Sequence, residues 1–364
     1  MARVDTLEHF LTDVADVIRY KTDTSDPITA DSFDTAIMNI PTGTVVAPNY
    51  VSFNSAPNGT DISWLNHDTT YNLTSCRLMF SSAKMTGELD ISDWDLSSCL
   101  DISAMFNYSY FSSIKFPGGT IPATQAENLI DSPPNLRSFK FGDNCSFPNL
   151  ISARIMFKCG YNSALTSLDF NGASFPALTN FEAMFSGLTE ITTITLPNTF
   201  TSPYISGIAS MFSGCSSLVT INNLFPTAKT TQISSAKLSF SDIFSYCSNL
   251  TGTIDLSNIT ATANQLTRIF QNCAKVTEIN LSNISTAANI NATNAFYGCT
   301  SLQKLDIRSM YFYSVTGTNI FGDESDSTTC VPNNCEIIVM SDMEKNWFAN
   351  NYPRFTNVKK VAEL

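Results

Sequence analysis

The chain has 364 residues, 43% of them hydrophobic, with a mean hydropathy of +0.01. These totals exclude a disordered or fibrous polypeptide and allow one large continuous core. Charged residues make up only 14%, so Ser, Thr and Asn must cover the surface, and a net charge of −12 argues against nucleic acid and anionic membrane as direct partners.

Residues 5–20 are expected to form a helix. Asp5 and Glu8 have capping-box spacing, and Leu7, Phe10, Leu11, Val14, Val17 and Ile18 fall on one face. Asp26-Pro27-Ile28-Thr29 breaks the chain and opens a second short helix carrying Phe33, Ile37 and Met38, stopped by Ile40-Pro41-Thr42-Gly43. Two short helices bury too little to stand alone, so residues 1–43 are expected to be a docking module. Its apolar stripe, Leu7, Phe10, Val14 and Val17, is the candidate attachment surface. The motifs Asp13-Val14-Ala15-Asp16-Val17-Ile18-Arg19, Lys21-Thr22, Asp26-Pro27-Ile28-Thr29 and Ile40-Pro41-Thr42-Gly43, in that order, resemble the N-terminal module of many phage tail and baseplate-associated proteins. No apolar run of signal-peptide length follows Met1 and no window approaches a membrane span, so neither a cleaved leader nor membrane insertion is expected.

Residues 44–75, with Val45-Val46-Ala47-Pro48-Asn49-Tyr50-Val51-Ser52-Phe53 and an Asn58-Gly59 turn, are expected to be an atypical coil that closes the near end of a repeat array. From residue 76 the chain repeats. Phe80, Phe106, Phe157, Phe185, Phe212, Phe244, Phe270, Phe296 and Phe321 recur at intervals of 25–32 residues apart from one of 51, and a degenerate copy with Ile130 in the aromatic place fills that double interval, which makes ten copies. Each copy runs on into an apolar alternation such as Leu165-x-x-Leu168-x-Phe170 or Leu302-x-x-Leu305-x-Ile307. This is the leucine-rich-repeat pattern. It predicts an α/β solenoid with a parallel sheet on the concave face and short helices or turns on the other.

The stretch Leu89-Asp90-Ile91-Ser92-Asp93-Trp94-Asp95-Leu96-Ser97, running to Ile102-Ser103-Ala104-Met105-Phe106, and the later Met-Phe-x-x-Cys-x-x-Leu copies resemble the BspA-like leucine-rich repeats of bacterial surface and phage virion proteins. The resemblance spans residues 76–325 and implies a binding scaffold. The copy between Phe212 and Phe244 is longer, and its extra residues around Thr227 to Ser239 are expected to bulge from one edge. Residues 326–364 are expected to be a strand-and-helix cap, with Cys330 and Cys335 as free thiols.

Cys215, Cys247, Cys273 and Cys299 each follow the repeat aromatic by three residues, which marks them as small packed hydrophobes rather than disulfide or metal ligands. The two histidines, His9 and His67, lie in unpromising company, and no phosphate loop or His metal motif is present, so no catalysis, cofactor or metal is expected. Within each strand the residue between the two apolar positions should point outward. That gives a row of Asp90, Lys115, Lys140, Asp169, Thr195, Asn222, Asp255, Asn280 and Asp306, of which Asp169, Thr195, Asn222, Asp255, Asn280 and Asp306 form the candidate ligand face. The expected partners are other virion proteins at the N-terminus and a host glycan or protein at the face, with assembly in the host cytoplasm; a bacterial surface adhesin, a purely structural decoration protein and homo-oligomer formation stay open.

Overall fold

A computed structural model describes residues 51–62, 65, 70–160, 163–231 and 236–364. The chain divides after Ala47 into two units, and everything described belongs to the second. The expected helices over residues 1–43, and with them Leu7, Phe10, Val14 and Val17, lie outside the described residues.

The second unit is a parallel β-solenoid of the leucine-rich-repeat class. Its short strands are β1 (Glu88–Asp90), β2 (Ser113–Lys115), β3 (Ser138–Lys140), β4 (Ser167–Asp169), β5 (Thr193–Thr195), β6 (Thr220–Asn222), β7 (Lys229–Thr230), β8 (Lys237–Ser239), β9 (Gly252–Asp255), β10 (Ile259–Gln265), β11 (Val276–Asn280), β12 (Ile284–Thr286), β13 (Lys304–Asp306), β14 (Glu336–Val339) and β15 (Val358–Lys360). All described pairings are parallel. The first sheet has the order β1-β2-β3-β4, β5 pairs β6, and a third ladder runs β15-β14-β13-β11-β9. Register is fixed residue for residue, as in Asp90↔Lys115↔Lys140↔Asp169. One slipped residue would turn each buried Leu or Ile to solvent, which is why the pattern was readable.

Strands are only one side of each coil. Opposite them, the segment around the aromatic makes tight turns in which, in most coils, the residues two before and two after the ring have positive φ, as at Ala104 and Tyr108 around Phe106 and at Ser210 and Gly214 around Phe212. These turns form a second ladder. Phe80, Phe106, Phe185, Phe212, Phe244, Phe270 and Phe296 each donate their N–H to a carbonyl of the next coil, so the backbone is paired where no sheet exists. Of the short helices or turns expected on this side, the chain uses turns in these coils. Phe53 obeys the same rule: its N–H bonds Met79 O, Ser55 has a φ of 59° and its ring stacks on Phe80 at 5.3 Å. It is an eleventh copy.

The long copy corrects part of an expectation. Residues 232–235, at the centre of the expected bulge, lie outside the described residues, while its described parts, β7 and β8, both pair β10 in a second parallel sheet. The reason is satisfaction of polar groups. Lys229, only 2% exposed, donates to the carbonyls of Phe200 and Ser202, each at 2.6 Å, and to Thr227 Oγ1 at 3.2 Å, which ties the copy to the preceding coil.

At the far end, helix α1 (Asp342–Asn351) is opened by a capping box in which Ser341 and Glu344 bond reciprocally. Its Phe348 lies 5.4 Å from Phe321, the last ring of the column, and Tyr352 and Phe355 close around the same ring. All ten cysteines are free, and nine are buried.

Candidate functional site

The strand-face row is real in the backbone and uneven in its chemistry. Asp90, Lys115, Lys140, Asp169, Thr195, Asn222 and Asp255 are exposed, Asn280 is half-buried, and Asp306 is 5% exposed. Asp306 is therefore a correction to the expected ligand face. Arg308, two residues on, folds back and donates to both its carboxylate oxygens, and the next strand sets Ile338 beside it instead of a polar side chain. A buried, fully paired carboxylate has no lone pairs left for a ligand.

Several members of the row have a local task. Asp90, Asp169, Asp255 and Asn280 each accept the N–H two residues on, from Ser92, Asn171, Ser257 and Ser282, and so end their strands in Asx turns. Part of each side chain's acceptor capacity is spent this way, and Asp90 spends more on the Ser92 hydroxyl and Lys115. A second corner works alike, with Asp101, Ser152, Asn180 and Asn291 capping Ser103, Arg154, Glu182 and Thr293. These two corners put part of the chain's Ser, Thr, Asn and Asp to structural use.

Charge varies along the face. In the first sheet Lys115 bridges Glu88 at 2.8 Å and Asp90 at 3.0 Å, while Lys140 meets Asp169 only at 3.9 Å. The Ser92 hydroxyl first and Lys115 second hold the Asp90 carboxyl below its ordinary pKa, and Glu88 first and Asp90 second raise that of Lys115. Beyond it lies a neutral belt in which Asn222 Nδ2 donates to Thr195 Oγ1 at 3.0 Å, flanked by exposed Thr193 and Thr220. Asp255, Asn280 and Asp306 follow in one register, the amide separating the two carboxylates.

Among the described residues no group of three or more His, Cys, Asp or Glu is placed to hold a metal ion, and no helix is long and apolar enough to cross a membrane. His9 and His67 lie outside the described residues. Sequence reasoning missed Phe53 as a repeat ring, Lys229 as a buried cation and Ser92 as a partner of the face. Only the first had a signal, its 27-residue interval to Phe80.

This chain is a repeat solenoid that carries a polar, in-register strand face. A family described as "Mycoplasma protein of unknown function, DUF285" matches residues 28–115 and 179–310, more than half of the sequence, and the chain belongs to that family. Comparison with curated proteins returns no match. A solved structure, that of a TLR13–ssRNA13 complex, aligns with 76% of this chain at 17% identity and a TM-score of 0.27, and this chain spans 37% of that one. The strand register, not this alignment, defines the solenoid.

Proposed function

We propose that the protein is a non-enzymatic component of a phage tail, baseplate or fibre, attached through its N-terminal unit, whose solenoid presents its exposed strand face to a host-surface glycan or protein. The observation that carries this reading is the outward row from Asp90 to Asp255 over a buried core, in register from Asp90 to Asp169 and again from Thr195 to Asn222. A rigid array of short donors and acceptors suits a polar, shaped partner better than lipid. The N-terminal motif order supports the attachment half.

The family's description as a Mycoplasma protein favours a second reading, a bacterial cell-surface or secreted adhesin. Fractionation separates the two. Mass spectrometry of purified particles detects the protein under the first reading, and surface-protein fractions of bacteria carry it under the second. Within the first, Phe10→Asp with Val14→Asp is expected to abolish incorporation while the solenoid stays folded. Thr195→Trp with Asn222→Trp is expected to block adsorption without altering assembly. Normal adsorption by that second variant would remove the centre of the face from consideration.

A further inference from the structure

At the corner where the first sheet turns away, two adjoining depressions of about 430 and 370 Å³ share Ser92 and Gly118. They cross successive coils, from Ser92 after β1, past Lys115 and Gly118 of β2 and its loop and Lys140 and Gly142 of β3, to Asn171 after β4. We propose that this corner is a binding site for an uncharged oligosaccharide. The inference deepens the recognition reading and rests on it, adding a separate sugar contact at the edge of the face to the contact at its centre.

Three observations carry it. First, the floor is backbone. A Cβ on Gly118 would run into Asp143 O, and one on Gly142 would run into the backbone of Phe116 to Gly118, so the loops after β2 and β3 nest too closely for any side chain to fill the space.

Second, the corner breaks the capping rule of its neighbours. Where Asp90 and Asp169 accept the N–H two residues on, β2 and β3 end in Lys115 and Lys140. In the β2 coil Pro117 removes the N–H altogether. In the β3 coil the half-buried Gly142 N–H has no acceptor among the described residues.

Third, the rim carries both donors and acceptors. Lys140 meets Asp169 at 3.9 Å, and Asn171 Nδ2 donates to Asp143 Oδ1 at 2.8 Å on an otherwise exposed Asp143. Vicinal sugar hydroxyls, each both donor and acceptor, satisfy such a rim. The carboxylates of Asp90, Asp93, Asp95, Asp143 and Asp169 outnumber the two lysines, which disfavours an acidic ligand. Coils rising by about 5 Å each would meet successive rings of an extended chain.

The test is titration calorimetry of the full chain with maltotriose, cellotriose and chitotriose, with trigalacturonate as the acidic comparison. Binding of at least one neutral trisaccharide is expected, weakened at least 10-fold by Lys140→Ala with Asn171→Ala and by Ser92→Trp, which fills the depression. Thr195→Trp with Asn222→Trp should leave it unchanged, and unaltered melting temperatures show that the exposed substitutions do not unfold the solenoid. No binding, binding of trigalacturonate alone, or binding that survives both corner variants overturns the proposal. Host adsorption that persists while no trisaccharide binds sinks this site and leaves the recognition reading standing. A protein absent from particles and without adsorption sinks that reading, whatever the titration shows.

Discussion

The solenoid has one backbone and two kinds of core. From Phe185 to Phe321 the repeat rings form a single column, with neighbours 5.0–6.1 Å apart and within 14° of parallel. Beside it runs a column of thiols, in which Cys215, Cys247, Cys273 and Cys299 each donate to the carbonyl of the preceding coil's phenylalanine at 3.0–3.1 Å. Between Phe106 and Phe157 the stack is broken, although Phe157 itself stacks on Phe185 at 5.9 Å. Ile130 interrupts the column, and phenylalanines from the strands and loops crowd in, with Phe141 alone touching Phe116, Phe139, Phe147, Phe157, Phe170 and Phe175, mostly edge to face. Yet parallel, in-register strand pairs and the turn ladder occur in both regions. The family match skips residues 116–178, which lie in the crowded region. The coil is specified by its turns and hydrogen bonds, and the core needs only the right volume, so composition drifts where equivalent positions stop stacking on one another.

The largest expected effect tests that contrast directly. Phe141→Ala and Phe270→Ala both empty a fully buried ring site, and both fall in the range of about 3–5 kcal/mol for such truncations. Phe270 stacks on Phe244 and Phe296 alone, so its neighbours can close along the column, whereas the rings around Phe141 are locked edge to face. Phe141→Ala is expected at the upper end and Phe270→Ala at the lower, read by urea denaturation. Equal costs would mean that ring packing does not distinguish the two regions.

The thiol column supplies the next test. Burial pushes Cys145 and Cys335 up to about 12 and Cys159 up to about 11, and raises Cys247 and Cys273 as well. A folded-state pKa above the unfolded value means stability that is complete below about pH 8.5 and declines as pH rises toward the folded value, by ~1.4 kcal/mol per unit for each thiol. Lys229, whose pKa burial lowers, and Cys99, whose thiol the hydrogen bond with Cys76 holds low, act with the opposite sign but are outnumbered by the raised thiols. The melting temperature is therefore expected to fall steeply between about pH 9 and pH 11, and Cys247→Ala with Cys273→Ala to flatten the fall. At neutral pH, Cys247→Ser should cost ~1–3 kcal/mol, because a hydroxyl on a shorter bond reaches Phe212 O poorly. Added reductant should change nothing; a large shift with reductant would mean that these cysteines are paired.

What the sequence made legible followed from periodicity. Repeat rings, thiols and strand alternation recur at equivalent places, so their stacking could be read without coordinates, and Gly187, Gly214 and Gly298 two places after the ring were a sign of left-handed turns. Features that depend on a single coil were not legible. Asp306 looks like its outward neighbours until Arg308 folds over it, and the corner depression exists only because Gly118 and Gly142 meet across two coils. Lys229 sits in the one copy whose length departs from the rest, and its acceptors are carbonyls, which no side-chain pattern announces.

The smallest effect concerns the turns, where the two regions share a frame but fill it differently. Two residues before the ring, the column region places Asn294 at a φ of 57°, a residue that tolerates this conformation, whereas the crowded region places Ile155 at 53°. A β-branched side chain there is strained by roughly 1–2 kcal/mol, held in place because Ile155 N–H must bond Glu182 O in the next coil. Ile155 is only half-buried, so removing its side chain forfeits little packing. Ile155→Gly is therefore expected to raise stability by about 1 kcal/mol after glycine's own entropy cost, and Asn294→Ile to lower it by a similar amount. Matched changes of opposite sign in denaturation midpoint would show that one turn geometry rules both regions. A destabilising Ile155→Gly would show that side-chain packing, not backbone conformation, decides the crowded half.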